Sequence, residues 1–273
     1  MQFELEYRTL VTKILNNGEL RDTRNGVTRA IFGEQLKIDI SNIEIPLLLG
    51  RRIYHRGIFG EFSAFMHNAK SVEEFEKYGC NYWQLWADAS GRLELDYSEQ
   101  LFNFNGVNQL QNLITSLKED PKSRRHIISL WRPDRFEDIS LHCCHYAYQF
   151  YVDECNNLHM LWNQRSVDVM VGLPSDIILA WLWVKLLCAE LGYTPGTITM
   201  SLGDCHIYEE HTKGAMQYCS NVRAVYGDNN PNRKIMLPTV TLQEFSSITD
   251  FMATDIEVDN YLPYDKISFE LKA

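Results

Sequence analysis

The sequence predicts an α+β fold, and three observations carry the prediction. Short segments rich in aromatic and β-branched residues gather in the middle of the chain, segments of helical period lie to either side, and one apolar run reads as a helix buried all round. Helices and strands segregate rather than alternate strictly, which favours α+β over a doubly wound sheet. Neither G-x-G-x-x-G nor G-x-x-x-x-G-K-[ST] occurs, so no Rossmann cofactor site or P-loop is offered.

In chain order, Phe59, Phe62, Phe65 and Met66 recur at helical spacing, and Val107, Leu110, Leu113, Ile114 and Leu117 mark an amphipathic helix. His126 to Trp131, Tyr146 to Val152 and Leu158 to Gln164 read as strands, the last two joined by a turn over Asp153 to Asn157. Ile177 to Ala189 is the buried helix; Pro174-Ser175-Asp176 looks like its start and Gly192 its stop. That run contains Lys185 and is too short to cross a bilayer. Thr197 to Leu202 is a fourth strand, and Tyr226 to Asn232 a turn-rich loop. No linker or repeat interrupts the chain, so one domain is expected over residues 1–273.

A chain of 273 residues, 45% hydrophobic, can bury a full core and is not disordered. Twenty-six Lys and Arg against 36 Asp and Glu give a net charge of −10, which repels a DNA backbone and requires any ligand phosphate to be met by locally gathered arginines. Seven cysteines, an odd number without a framework spacing, and no signal peptide before Met1-Gln2-Phe3-Glu4 imply reduced thiols and a cytoplasmic protein. His142-Cys143-Cys144-His145 puts four potential metal ligands in a row. Neighbours on a strand face opposite ways and no second ligand pair has zinc spacing, so no metal is expected.

Arg24 in a Thr-Arg-Asn-Gly turn, Arg124-Arg125 and Arg165 are candidates for a phosphate, which a guanidinium meets with a planar fork; each alone also reads as a solvated arginine. Cys144 sits among polar neighbours, where a thiolate can be activated, although a buried inert thiol is the commoner state. Glu61 lies inside the apolar stretch Gly60 to Met66, either as a carboxyl of raised pKa or on the helix's exposed side. Gln164 to Asp168 and Gly203 to Tyr208 end strands in clusters of hydrogen-bonding side chains suited to a polar ligand.

Taken in order, Ser123-Arg124-Arg125, Leu141-x-x-Cys144-His145, Gln164-Arg165-Ser166-x-Asp168, Gly172-x-Pro174 and Gly203-Asp204-x-His206-x-Tyr208 resemble the thymidylate synthase family. Arg24, the segment from His55 to Glu61 and Trp83-x-x-Trp86-Ala87-Asp88 extend the likeness over nearly the whole chain. The resemblance implies a mixed sheet flanked by helices, a homodimer packed through sheets, and one-carbon transfer from 5,10-methylenetetrahydrofolate to a pyrimidine nucleoside monophosphate. It implies Cys144 as nucleophile on pyrimidine C6 and Glu61 as manager of protons around the base. Arg165 would bind the phosphate and, as a member of the catalytic set, lower the thiol pKa, joined at the phosphate by Arg24 and Ser166, with Arg124 and Arg125 reaching in from a second subunit. Gln164 would contact the nucleotide, and His206 and Tyr208 the sugar. Asp168, Trp83, Leu141 and Gly172 would line the folate side.

One departure concerns the base. Asp176 stands where the family has an Asn that reads uracil. Cytosine presents N3 as acceptor and N4 as donor, which suits a carboxyl sharing a proton with N3 and accepting from N4. In this feature the chain resembles the dCMP hydroxymethylase branch, and Asp176 joins the catalytic set; the other reading of Ser175-Asp176 is a helix start. Ser175 in place of a Phe, His142-Cys143 in place of a Pro pair, and Tyr97 to Leu101 without the usual Gly and Trp-Arg describe a wetter folate pocket. That favours water addition and a 5-hydroxymethyl product, while retention of Trp83 argues for shielding. CMP hydroxymethylation, dCMP methylation, thymidylate synthesis or dUMP hydroxymethylation, and a non-catalytic nucleotide- or RNA-binding role stay open.

Overall fold

The computed structural model describes residues 2–227 and 235–272. Its centre is a mixed six-stranded sheet. Helix α1 (Gln2–Asn17) leads into the hairpin β1 (Glu19–Thr23) and β2 (Gly26–Asp39). The sheet is completed by β3 (Ile127–Ser129), β4 (His145–Val152), β5 (Asn157–Asp168) and β6 (Thr194–Tyr208), in the order β1-β2-β6-β5-β4-β3. All pairings are antiparallel except β5 with β6. A parallel pair needs a long crossover, supplied by the central helix α6 (Gly172–Leu191). Four helices, α2 (His55–Met66), α3 (Val72–Lys77), α4 (Asp96–Phe102) and α5 (Gln109–Glu119), lie between β2 and β3 in sequence. Helix α7 (Thr212–Tyr226) and a small hairpin of β7 (Thr239–Leu242) and β8 (Ile256–Asp259) follow β6.

One hydrophobic cluster runs from Phe3 to Ile256, with α6 at its heart; Ile177, Ala180, Trp181, Val184 and Leu187 are all at most 1% exposed. Helix α6 is longer than the apolar run read from sequence. By length and composition it could span a bilayer, which corrects the estimate from Ile177–Ala189, but 78% of its apolar window is buried inside the protein. Its start also moves. It begins at Gly172, so Pro174 falls in the first turn, where no backbone N–H is needed, and Asp176 lies beyond the cap. Gly192 ends it in a left-handed conformation, φ 77°.

Other boundaries shift for physical reasons. Val107 lies outside α5, half-exposed, because Asn108 caps that helix by accepting from the Gln111 N–H. The strand expected over His126–Trp131 shortens to Ile127–Ser129, since β3 is an edge paired only with β4. Asp228 to Asn232 of the expected loop lie outside the described residues.

The segment before α2 is pinned by one buried side chain. Both Glu4 carboxyl oxygens accept from the backbone N–H of Leu49, and Oε1 also accepts from Gly50 (2.8 Å); Tyr218 and Tyr226 donate their hydroxyls at 3.2 and 2.6 Å. Tyr261 Oη accepts from Ile53 N–H and donates to Leu48 O, both at 2.9 Å. Glu4→Ala strands several buried donors and should cost about 3–5 kcal/mol of stability. Urea denaturation measures this, and a loss below about 1 kcal/mol contradicts the anchoring role.

Candidate active site

Alternation along β5 buries Trp162 and Gln164; past Gln164 it breaks, leaving Arg165 exposed, Ser166 and Asp168 half-buried and Val167 buried between them. The parallel register sets Ser166 beside Asp204 and Asp168 beside His206, so both clusters read from the strand ends meet at the C-terminal ends of these two central strands. Arg165 N–H donates to Cys144 O (2.8 Å), and its guanidinium donates to Cys143 O and His142 O, both at 3.0 Å. Arg165 therefore fixes the backbone carrying Cys144 while its guanidinium stays exposed beside Trp131.

Cys144 is half-buried and its backbone N–H donates to Tyr97 Oη at 2.6 Å. Burial raises its thiol above the ordinary value and Asp176 adds to the rise; the Arg165 charge and Tyr97 hydrogen bond oppose it without reversing it. Neighbouring Cys143 is buried, its thiol against Leu130 O at 3.6 Å, and pushed up to about 12 by burial. All seven cysteines are free. Among the described residues no group of His, Cys, Asp or Glu could hold a metal ion.

Asp176 is buried on the first turns of α6, and its Oδ2 accepts from Gln164 Nε2 at 2.7 Å. Burial lifts its carboxyl from 3.8 to about 8; the Gln164 hydrogen bond opposes the rise, and Glu61 and Asp168 add to it. His145 Nε2 is 3.9 Å from Oδ1. That imidazole shares a 2.6 Å hydrogen bond with Tyr148 Oη and packs between Tyr97 and Trp162, and burial lowers it to about 3, leaving it neutral.

Glu61 is buried in α2, not on an exposed side of that helix. The close approach is made at Gly60, where an added Cβ would stand 2.5 Å from Gly79 C and 2.7 Å from Cys80 N. The following segment then crosses above Glu61. Trp83 Nε1 donates to Oε1 and Tyr82 Oη to Oε2, both at 2.8 Å. Burial raises Glu61 to about 7, against the lowering effect of these two donors. Trp83 also packs on Tyr97, linking the two halves of the site.

At the other end, Asp204 Oδ1 accepts from His206 Nδ1 (3.0 Å) and pairs with Arg21 through Oδ2. Tyr208 lies edge-on to His206, and the β1–β2 turn holding exposed Arg24 is adjacent, Gly26 being within 3.8 Å of the Tyr208 ring by its Cβ direction. Asp168 Oδ1 accepts from Met170 and Val171 N–H, leaving Oδ2, among the described residues, with His211 Nδ1 4.0 Å away. Burial raises Asp168, while His206, His211 and the two N–H donors pull it down. Half-buried Leu141 packs on the core, and a Cβ at Gly172 would lie 3.6 Å from Asp176 Oδ2. Arg124 and Arg125 are exposed before β3, without an ion pair among the described residues, and are not brought to the cluster within one chain.

Residues 5–273 match the family described as Thymidylate synthase. The chain belongs to the thymidylate synthase family. Its α+β fold with a mixed sheet flanked by helices is that of the family, and membership implies folate-dependent one-carbon transfer to C5 of a pyrimidine nucleotide. Sequence reasoning overlooked Tyr82 and Trp162 as parts of this candidate site, and named Tyr97 only as the start of a segment beside the folate pocket. Trp162 carried a signal, since it shares Gln164's strand parity and a Gln on an apolar face needs partners. Tyr97 and Tyr82 carried none, because their partners are remote or depend on a loop path.

Two acids that keep their protons in the fold and lose them when unfolded make stability fall with rising pH. For Asp176 the fall spans about pH 4 to 8, for Glu61 about 4.5 to 7. Asp176→Asn should therefore melt several degrees above the parent at pH 8, at roughly 2–4 °C per kcal/mol, with the gain vanishing near pH 4. Thermal melts across that range check it; a difference independent of pH contradicts the buried-acid assignment.

Proposed function

We propose that the protein transfers a one-carbon unit from 5,10-methylenetetrahydrofolate to C5 of a cytidine monophosphate nucleotide, converting dCMP to 5-hydroxymethyl-dCMP, within a single catalytic domain. The observation carrying this reading is Asp176, a buried carboxyl that holds its proton near neutral pH beside a neutral His145. Cytosine N3 is an acceptor and meets that proton; once N3 holds it, the carboxylate accepts from both N3–H and N4–H. An Asp of ordinary pKa would instead oppose N3 with an unprotonated acceptor.

Cys144 is the nucleophile: it gives up its proton and its sulfur bonds to C6, C5 gains electron density and bonds to the one-carbon unit, whose two bonds to folate nitrogens break as C5 loses its proton, and the C6–S bond breaks at the end as water adds. Asp176 assists by drawing charge toward N3. Glu61, titrating near 7 between two donors, exchanges protons with water at the base. Arg165, Arg24 and Ser166 bind the phosphate. The Asp204 contact makes His206 Nδ1 a donor and leaves Nε2 to accept from a sugar hydroxyl, beside Tyr208.

The folate side fits by donor chemistry: the amidine edge of a pterin offers N–H donors, and Asp168 Oδ2 is the uncommitted oxygen to take one. Trp83, Leu141 and Gly172 would flank it. Methylenetetrahydrofolate supplies carbon at the formaldehyde level, and reduction to methyl would also take a hydride from it. Cys143, Tyr97, Ser98, Gln100 and Leu101 are buried and do not wet the pocket; half-buried Ser175 is what supports water adding to the C5 methylene to give the hydroxymethyl group.

A homodimer completes the site. Phe32, 83% exposed, and Tyr151, 60% exposed, leave apolar surface on the sheet strands, and the free guanidinium groups are suited to serve as Arg124 and Arg125 of the partner subunit. The free thiols accord with a reducing, cytoplasmic setting.

The test incubates the protein with methylenetetrahydrofolate and, separately, dCMP, CMP and dUMP, weighs the nucleotide product and follows dihydrofolate. Expected are dCMP turnover, a hydroxymethyl product and no dihydrofolate. Turnover of dUMP alone overturns the cytosine reading, and a methyl product with dihydrofolate overturns hydroxymethylation. Asp176→Asn should move preference toward dUMP by about tenfold or more, the worth of one mismatched buried hydrogen-bonding group.

A further inference from the structure

The Gln164 amide that meets Asp176 is held in one of its two orientations. Trp162 Nε1 donates to Gln164 Oε1 at 3.0 Å. The opposite end of the amide, Nε2, donates to Asp176 Oδ2 at 2.7 Å and to Ser166 O at 3.2 Å. Every position of the amide is thereby committed. Rotated by half a turn, its NH2 would face the indole N–H, and its oxygen would face two acceptors. Trp162 and Gln164 are both buried, so no water supplies a substitute at low cost. The indole is itself fixed, stacked on Tyr148 at 4.6 Å and packed on His145 at 4.3 Å.

We propose that Trp162 is a positioning residue which, through Gln164, keeps Asp176 Oδ2 an acceptor and so sets the choice between cytosine and uracil. The inference rests on the reading of Asp176 as the base-contacting group. A cytosine that has taken the proton on N3 presents two donors and needs an acceptor at both carboxyl oxygens. A uracil presents one donor and one acceptor, and is matched by a carboxyl that keeps its proton. The Gln164 NH2 stabilises the first form, because it donates to a carboxylate oxygen. A turned amide would place Oε1 against Oδ2 and demand the proton there, favouring the second. Among the described residues no other titratable group supplies this control: His145 is neutral and 3.9 Å from Oδ1, and the Glu61 and Asp168 carboxyls oppose ionisation.

The experiment compares kcat/KM for dCMP and dUMP in the parent, Trp162→Phe and Trp162→Leu. Neither replacement can donate to Gln164, and they differ in how much of the ring stack they keep. The dCMP-to-dUMP ratio should fall about five- to tenfold in both, the discrimination one buried hydrogen bond commands. Poorer packing alone lowers both nucleotides together and leaves the ratio where it was. An unchanged ratio in the two variants overturns the relay, whichever nucleotide the parent prefers. A parent that prefers dUMP overturns the cytosine reading, and the ratio in the variants still decides the relay. If one variant does not fold, the other decides.

Discussion

The parallel pairing of β5 with β6 is the constraint on which the rest of the structure depends. Two neighbouring strands running the same way force the chain across the sheet through α6, and that helix must be apolar on every side to lie in the core. The strands approach closely enough that an added Cβ at Gly203 would stand 2.5 Å from Arg165 O. Their ends, the start of α6 and the backbone of Cys144 then share one small region, because Arg165 joins β5 to the Cys144 segment. No residue of that region is near its partners in sequence except within a single strand end.

Withheld charge is the electrostatic character of the region. Among the described residues Glu61 and Asp176 are buried without a cation within ion-pair distance and are held instead by neutral donors: Tyr82, Trp83 and Gln164. His145, which could have paired with Asp176, is kept neutral by the aromatic rings around it. Glu61 and Asp176 then titrate near neutrality, where proton exchange is most useful, beside an imidazole that stays neutral. The site sacrifices stability for this, since each acid would be better solvated outside. Arg165 plays a complementary part, spending hydrogen bonds on carbonyls and leaving its charge to the solvent side.

Sequence reasoning read the core of this arrangement because its strongest signals were local. The aromatic strands β4 and β5, the apolar run of α6 and its glycine stop appear at or near their expected places. The first fifty residues were not legible as elements. Helix α1 carries exposed polar residues between its buried Phe3, Tyr7, Leu10, Val11 and Ile14, and β2 is broken in pattern by Gly33, whose φ is 81°. Helix α7 was missed because its buried face is only Ala215, Tyr218, Val222 and Val225. Residue order brought Cys144, Arg165, Gln164 and Asp176 forward as candidates, and the structure places them in one region. Trp83 was named from residue order, but its bond to Glu61, the second donor Tyr82 and the hydroxyl of Tyr97 under Cys144 depend on where α3, α4 and the intervening loop pass, which no short-range pattern records.

The claim that Cys144 attacks a cytosine read by Asp176 is tested most directly with 5-fluoro-dCMP and methylenetetrahydrofolate. Fluorine at C5 cannot leave as a proton does, so a nucleotide joined to the enzyme stays joined, and intact-protein and peptide masses locate it. The account predicts an adduct on the peptide containing Cys144, absent in Cys144→Ser. An adduct with 5-fluoro-dUMP but none with 5-fluoro-dCMP, or one on a different cysteine, would contradict it.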